Sequence, residues 1–161
     1  MPFFITTDLA RYQPIAETST VQLHDIGTIV HAFDGTTYGA GEFIYLKGVA
    51  STAIGNPVIW DSAGQTALAG LASRGPIAIA MSANVANQWG WYQIQGLAPV
   101  SSAANAVATG APIFMQASAA IDDAVSATNK IDGCVSKSAS GTPAATFTVC
   151  ALSRPCMNGN G

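Results

Sequence analysis

The side chains able to do chemistry in this chain of 161 residues are few and far apart. Its two histidines, His24 and His31, lie on either side of Gly27, seven positions apart. That is not the i, i+4 step by which two imidazoles on one helix share a metal ion. His24 beside Asp25 could work as an acid–base dyad, although a hydrogen-bonded surface histidine is the plainer reading of the same pair. Asp122 and Asp123 are adjacent within Ala119–Ala124, where a hairpin tip would use Asp for its backbone hydrogen bonds. With Asp132 they do not reproduce the spacing of an EF-hand calcium loop. Cys134, Cys150 and Cys156 lack the C-x-x-C step of a zinc or redox site; they read first as free thiols of a protein made in a reducing cytoplasm, and second as a Cys150–Cys156 disulfide. No G-x-S-x-G elbow occurs, and no glycine-rich loop ends in G-K-[ST]. These residues point away from catalysis, so no enzyme activity, cofactor or metal is expected.

Composition points toward a surface built for contact. Charged residues make up 9% of the chain, against about 25% in an average soluble protein. A surface so poor in charge is expected to be covered in part by other protein. The net charge is −3, and the six basic residues Arg11, Lys47, Arg74, Lys130, Lys137 and Arg154 are scattered singly, which speaks against a nucleic-acid partner. Nowhere do about 18 apolar residues run together, so the mean hydropathy of +0.32 predicts strands and no membrane helix. Met1–Asp8 has no basic region and its apolar run is short, unlike a secretory signal.

The elements that must position these residues are predicted to be strands. A pattern occurs twice: Phe43–Leu46 then Lys47-Gly48-Val49-Ala50, followed by Asn56-Pro57-Val58-Ile59-Trp60; and Trp91–Ile94 then Gln95-Gly96-Leu97-Ala98, followed by Ala111-Pro112-Ile113-Phe114-Met115. Each copy leads to a strand-like run opening at Gly75 or Gly133, and then to Trp89–Gly96 or Ala145–Leu152. Alternation places Phe147, Val149 and Ala151 opposite Thr146, Thr148 and Cys150, as in a half-buried strand. Val21, Leu23, Ile26, Ile29, Val30 and Phe33 fit one or two strands with a bend at Gly27. The Ala-rich pieces Ala67–Ala72 and Ser101–Ala108 could each form a short helical turn. The expected fold is mainly β: an antiparallel β-barrel or small β-sandwich with less than about a fifth helix over 41–152. Residues 1–20, with Pro2 and Pro14, read as an extended N-terminal arm, and 21–161 as a single β-rich domain. Deleting residues 2–15 is therefore expected to leave the body folded.

The succession Leu23–Val30, Gly41–Ser51, Val58–Asp61, Ala78–Ala86 and Gly90–Ala98 resembles the small virion structural proteins of tailed bacteriophages, most of all those that decorate the head. The resemblance covers about residues 21 to 135, and Gly41–Ser51 and Met81–Leu97 are its most specific blocks. It implies a capsid decoration, or cement, protein with a β-tulip-like fold, made in the bacterial host cytoplasm and bound as a homotrimer to the major capsid protein on the capsid exterior. It carries no catalytic residue. The contacts to capsid or neighbouring subunit are then expected from Phe3, Phe4, Ile5, Leu9 and Tyr12 of the arm, with Trp89 and Trp91 of the body. An alternative is a receptor- or glycan-binding module of a phage fibre, with Trp60, Trp89, Trp91 and Tyr92 as a stacking platform. A third, weaker reading is a hydrolase using His24 or His31 with a carboxylate.

Overall fold

The computed structural model describes residues 3–5, 13–103, 107–125 and 128–158, and the chain is almost entirely β, with 48% strand and 1% helix in one curled antiparallel sheet that forms a half-barrel. The strands are β1 (Phe3–Ile5), β2 (Ile29–Asp34), β3 (Gly39–Lys47), β4 (Pro57–Trp60), β5 (Thr66–Leu68), β6 (Gly75–Pro76), β7 (Ala78–Ala80), β8 (Trp89–Ser101), β9 (Pro112–Met115), β10 (Ile121–Asp122), β11 (Lys130–Ser136) and β12 (Phe147–Met157). The main path across the sheet is β1-β2-β3-β8-β12-β11-β9-β10, with β4, β5, β6 and β7 branching from it. The first Ala-rich piece is not helical, and of the second only 101–103, 107 and 108 lie among the described residues and none of these is helical. Ala67 lies in β5, Ser101 ends β8, and Ser102 bridges to Ile121. In both places a neighbouring strand offers the backbone a ladder, which outweighs the weak helix preference of a short segment.

β8 is the centre of the molecule. One edge of it pairs with β3 from Lys47↔Trp89 to Gly41↔Gly96. The other edge pairs with β7 at Tyr92 and Gln93 and with β12 from Gln95 to Ser101. Side chains on both of its faces are buried, although Gln95 is exposed, and they feed three clusters of core side chains. Trp91 packs with Ile15, Val30, Phe43 and Tyr45. Tyr92 and Ile94 pack with Ile44, Leu46, Val58 and Ala80. Ala98 and Val100 join Ile113, Met115, Ile131, Cys150 and Leu152.

The twofold pattern of the sequence is real in the pairing, and larger than the quoted residues show. The pairings β3·β8, β4·β5, β4·β7 and β7·β8 recur as β8·β12, β9·β10, β9·β11 and β11·β12. The two small hairpins share one register: Trp60↔Thr66 and Ile59↔Ala67 in the first, Met115↔Ile121 and Phe114↔Asp122 in the second, each residue 55 positions on. Ahead of each hairpin stands the same turn, Ala53-x-Gly55-x-Pro57 and Ala108-x-Gly110-x-Pro112. Gly55 and Gly110 take φ of 84° and 82°, a left-handed conformation that disfavours any side chain. The amides of Asn56 and Ala111 close the turn on the carbonyls of Ala53 and Ala108 at 3.1 and 3.3 Å.

The other half of the sequence match is coincidence of type. Gly96 lies inside β8, whereas Gly48 lies just beyond the end of β3. β11 opens at Lys130 and carries Gly133 at an irregularity in its middle, so Gly133 does not start that strand.

The N-terminal segment departs from the expected arm. Gln13 and Ile15 are 3% and 1% exposed, and Ser19 forms a bridge with Trp89. Residues 13–19 therefore belong to the body. β1 adds to the sheet edge through Phe3↔Asp34 and Ile5↔Ala32, so an arm strand lies on its own chain.

Close packing explains Gly48 and Gly90. Both flank Asn84, which is fully buried and donates to the Tyr92 hydroxyl at 3.0 Å. A Cβ on Gly48 would stand 2.1 Å from Asn84 Oδ1. Gly48→Ala is therefore expected to lower stability by about 2–3 kcal/mol in urea denaturation. Removing the obstruction in the same chain, Gly48→Ala with Asn84→Ala, should then cost less than the two single changes added together. A single Ala tolerated at no cost would show that the Asn84 wedge yields freely.

Candidate interaction face

A row of outward side chains that includes two large apolar residues lies on β2. Alternation along Ile29–Asp34 buries Val30, Ala32 and Asp34 and turns Ile29, His31 and Phe33 outward. Asp34 fixes the end of this strand. Burial opposes its charge, but bonds from the amides of Tyr38, Thr37 and Thr36 and from the Thr36 hydroxyl outweigh that and hold its carboxyl below the usual range. Ile29 and Phe33 remain 42% and 50% exposed. Across the β2·β3 ladder they oppose Ile44 and Ala40, and His31 opposes Glu42.

Two recesses open beside this row. One, of about 190 Å³, is apolar and is bordered by Ile29, Ile44, Trp60, Ile94 and Pro155, with Arg154 at its margin. The other, of about 250 Å³, is bordered by His31, Glu42, Gln95 and Gly96. Arg154 joins the two by donating from Nη2 to Glu42 Oε2 at 2.8 Å. His31 Nε2 lies 3.3 Å from the other oxygen of the same carboxylate. The Arg154 bond is the main cause that keeps the Glu42 carboxyl below its usual range; burial opposes it, and the charges of Arg154 and His31 assist it. Arg154 reaches this position at a backbone cost, with φ of 46° inside β12. The result is an exposed apolar area with an oriented ion pair at its edge.

A third recess, of about 200 Å³, lies elsewhere, among Ile15, Ile54, Met81, Pro143 and Phe147, and is also apolar.

Of the residues expected as contacts, five lie among the described residues, and these are not gathered in one place. Phe3, Phe4 and Ile5 form β1 at the sheet edge, and Leu9 and Tyr12 lie outside the described residues. Trp89 is half-buried, with Lys47 Nζ 5.8 Å from its ring centroid. Trp91 is fully buried and donates from Nε1 to the Gln13 carbonyl at 3.0 Å, so it is a core residue of its own chain and no contact side chain. The four-aromatic stacking platform is likewise absent. Trp91 and Tyr92 are 0% and 1% exposed, while Trp60 and Trp89 belong to different clusters.

Asp122 acts as a turn residue, its Oδ1 accepting the amides of Asp123 and Ala124. All three cysteines are free thiols, with Cys134 and Cys150 buried and Cys156 half-buried. Among the described residues no three His, Cys, Asp or Glu side chains gather to hold a metal, and no helix is long and apolar enough to cross a membrane.

The comparisons leave this face without a precedent: no family model, no curated protein and no solved structure matches the chain. Sequence reasoning named Ile29 and Phe33 as strand residues but had no means of siding them. The Glu42–Arg154 pair spans 112 positions, and nothing local signals it.

The strained Arg154 supplies a test. Ala at this φ should be less stable than Gly by roughly 1 kcal/mol, because only Gly relaxes there. Both changes remove the cation that favours ionised Glu42. Since the folded-state value of that carboxyl is depressed, its contribution is present above the ordinary Glu range near pH 4.3 and is lost as pH falls through the lower folded value. The gap between native protein and Arg154→Gly, read from thermal melts across this range, should therefore move in favour of the variant on acidification. A gap independent of pH would show that the pair does not act through Glu42.

Proposed function

We propose that the chain is a capsid decoration protein, a structural subunit that binds the major capsid protein on the outside of a phage head, as a homotrimer, and stabilises the shell. One observation carries the reading: the outward row Ile29, His31, Phe33, open to solvent beside an apolar recess, on a chain with 9% charged residues. Such a surface is stabilised when another protein covers it. The resemblance of Gly41–Ser51 and Met81–Leu97 to head-decorating proteins supports the choice of partner. Closed symmetric assembly is the usual way for identical subunits to share a contact face, which supports the trimer.

The arm keeps a part in this reading with a changed boundary. Gln13 and Ile15 are buried, so a cut at residue 15 would open the core, whereas a cut at residue 12 removes only what precedes it. Removing residues 2–12 is expected to leave a folded body and to weaken co-sedimentation with empty expanded heads at least tenfold, about 1.4 kcal/mol. Phe33→Asp, on the open face, should weaken binding while leaving the urea midpoint nearly unchanged. Binding at native strength by both variants would overturn this reading. A full-length chain that sediments as a monomer alone and shows no threefold density on the particle would remove the trimer from it.

A further inference from the structure

His24 occupies an unusual position between the segment Gln13–Thr28 and the central sheet. Its ring centroid lies 5.1 Å from that of Tyr45, edge to face, and 5.2 Å from that of Trp91. Tyr45 and Trp91 are themselves 4.9 Å apart, so the three rings form one stack of contacts. Around it the segment is tied to the sheet by a set of hydrogen bonds that includes the two-bond bridge between Ser19 and Trp89, 2.9 Å each way, and the donation from Trp91 Nε1 to the Gln13 carbonyl at 3.0 Å. The Tyr45 hydroxyl donates to Gln13 Oε1 at 2.8 Å and accepts the Leu23 amide at 3.2 Å. Gln13 Nε2 donates to the Trp89 carbonyl at 3.0 Å, and the amides of Gly27 and Tyr45 bond across to Tyr45 and Thr28 at 2.9 Å. The His24 Nε2 atom is buried and has no hydrogen-bond partner among the described residues.

We propose that His24 is an acid-sensitive latch: the neutral ring seats residues 13–28 on Tyr45 and Trp91, and a proton on Nε2 unseats that segment. A proton there would have no acceptor among the described residues, and Nε2, the buried side of a half-buried ring, would carry it against aromatic side chains, a costly combination. A cation–π attraction to the two rings recovers only part of that cost. Among the described residues the charge acting on the ring is the Asp25 carboxylate on the same segment. β3 faces the ring with the Tyr45 phenol, whose titration burial pushes above its usual range, and β8 faces it with Trp91, which does not titrate.

Burial holds His24 below the ordinary imidazole value, and Asp25 opposes that only in part. The sign follows. A group harder to protonate when folded than when unfolded contributes fully above the ordinary value near pH 6.5 and loses that contribution as pH falls toward the folded value. The loss falls first on residues 13–28, because the remainder of β8 is held by β3, β7 and β12.

Amide hydrogen exchange of the full chain, corrected for intrinsic rates, tests this between about pH 7.5 and pH 5. Opening of residues 13–28 should rise at least about threefold on acidification, and with it that of the Trp89 amide, which donates to the Ser19 carbonyl, while the other amides of β8–β12 stay as they were. His24→Phe keeps a ring in the stack and should abolish the rise. A proton NMR titration of the native chain provides a second readout that needs no variant: the His24 ring should titrate below the ordinary imidazole value. Equal opening at both pH values, a rise that survives in His24→Phe, or a His24 ring titrating at or above the ordinary value would each overturn the latch.

Discussion

The fold depends on one strand serving two successive sets of neighbours in a single sheet. β8 is flanked by β3 over its first half and by β12 over its second, and at Gln95 and Gly96 both neighbours are present at once. A strand buried on both faces and paired on both edges cannot slip in register without moving three clusters of side chains. The turnover point is built from two devices. Gly96 takes φ of 98°, and a Cβ there would stand 2.4 Å from the Ala40 carbonyl. Gln93, fully buried, donates from Nε2 to the carbonyls of Gln95 and Leu97 at 3.0 and 2.9 Å. An amide side chain thus satisfies backbone groups beside the changeover, where leaving a buried carbonyl unpaired would cost about 1–3 kcal/mol.

The duplicated pairing follows from the same arrangement. Because β8 closes the first unit and opens the second, the two units share a strand and cannot separate into domains. A long shared strand also explains why the copies differ. Ala50 to Pro57 is a short link, whereas Ala98 to Pro112 is longer because β8 continues to Ser101 along β12. The hairpins themselves keep their common register, since Gly55 and Gly110 fix the turn that starts each one.

Local chemistry was legible in the sequence, and long-range geometry was not. Alternation in Phe147–Leu152 and the Pro-led runs marked strands correctly, and the mainly β class followed from them. Asp122 could be read as a turn residue because its partners are its own next two amides. The Gly-aliphatic-Ala match misled because Gly is required at Gly48 by a distant Asn84 and at Gly96 by φ and the Ala40 carbonyl, two unrelated reasons that leave the same letter. Trp91 looked like a contact residue because the strand pattern cannot reveal that both faces of β8 are covered. Pro2 and Pro14 suggested an extended arm over residues 1–20, yet Gln13 and Ile15 are core, and Gln13 is held by bonds involving side chains that carry no periodicity.

The shortage of charge has a structural meaning once the surface is known. A compact monomer of 16.4 kDa is expected to expose about 7,500 Å², and this chain exposes 7144 Å². It is therefore as compact as an ordinary globular protein, and its low charge does not reflect an unfinished core. Several of the few charges are also committed within the chain: Glu42 to Arg154 and His31, Lys130 to Asp132, Asp34 to its own turn. What remains outside is rich in small side chains, Ala and Gly together with Ser and Thr, interrupted by large apolar ones such as Phe33, Leu71 and Val125. A surface with little net repulsion and many apolar contacts gains by being covered, and the gain scales at roughly 25 cal/mol per Å² of apolar area removed from water. The physical argument for an assembly role thus rests on the finished fold and on how it spends its charges, not on composition alone.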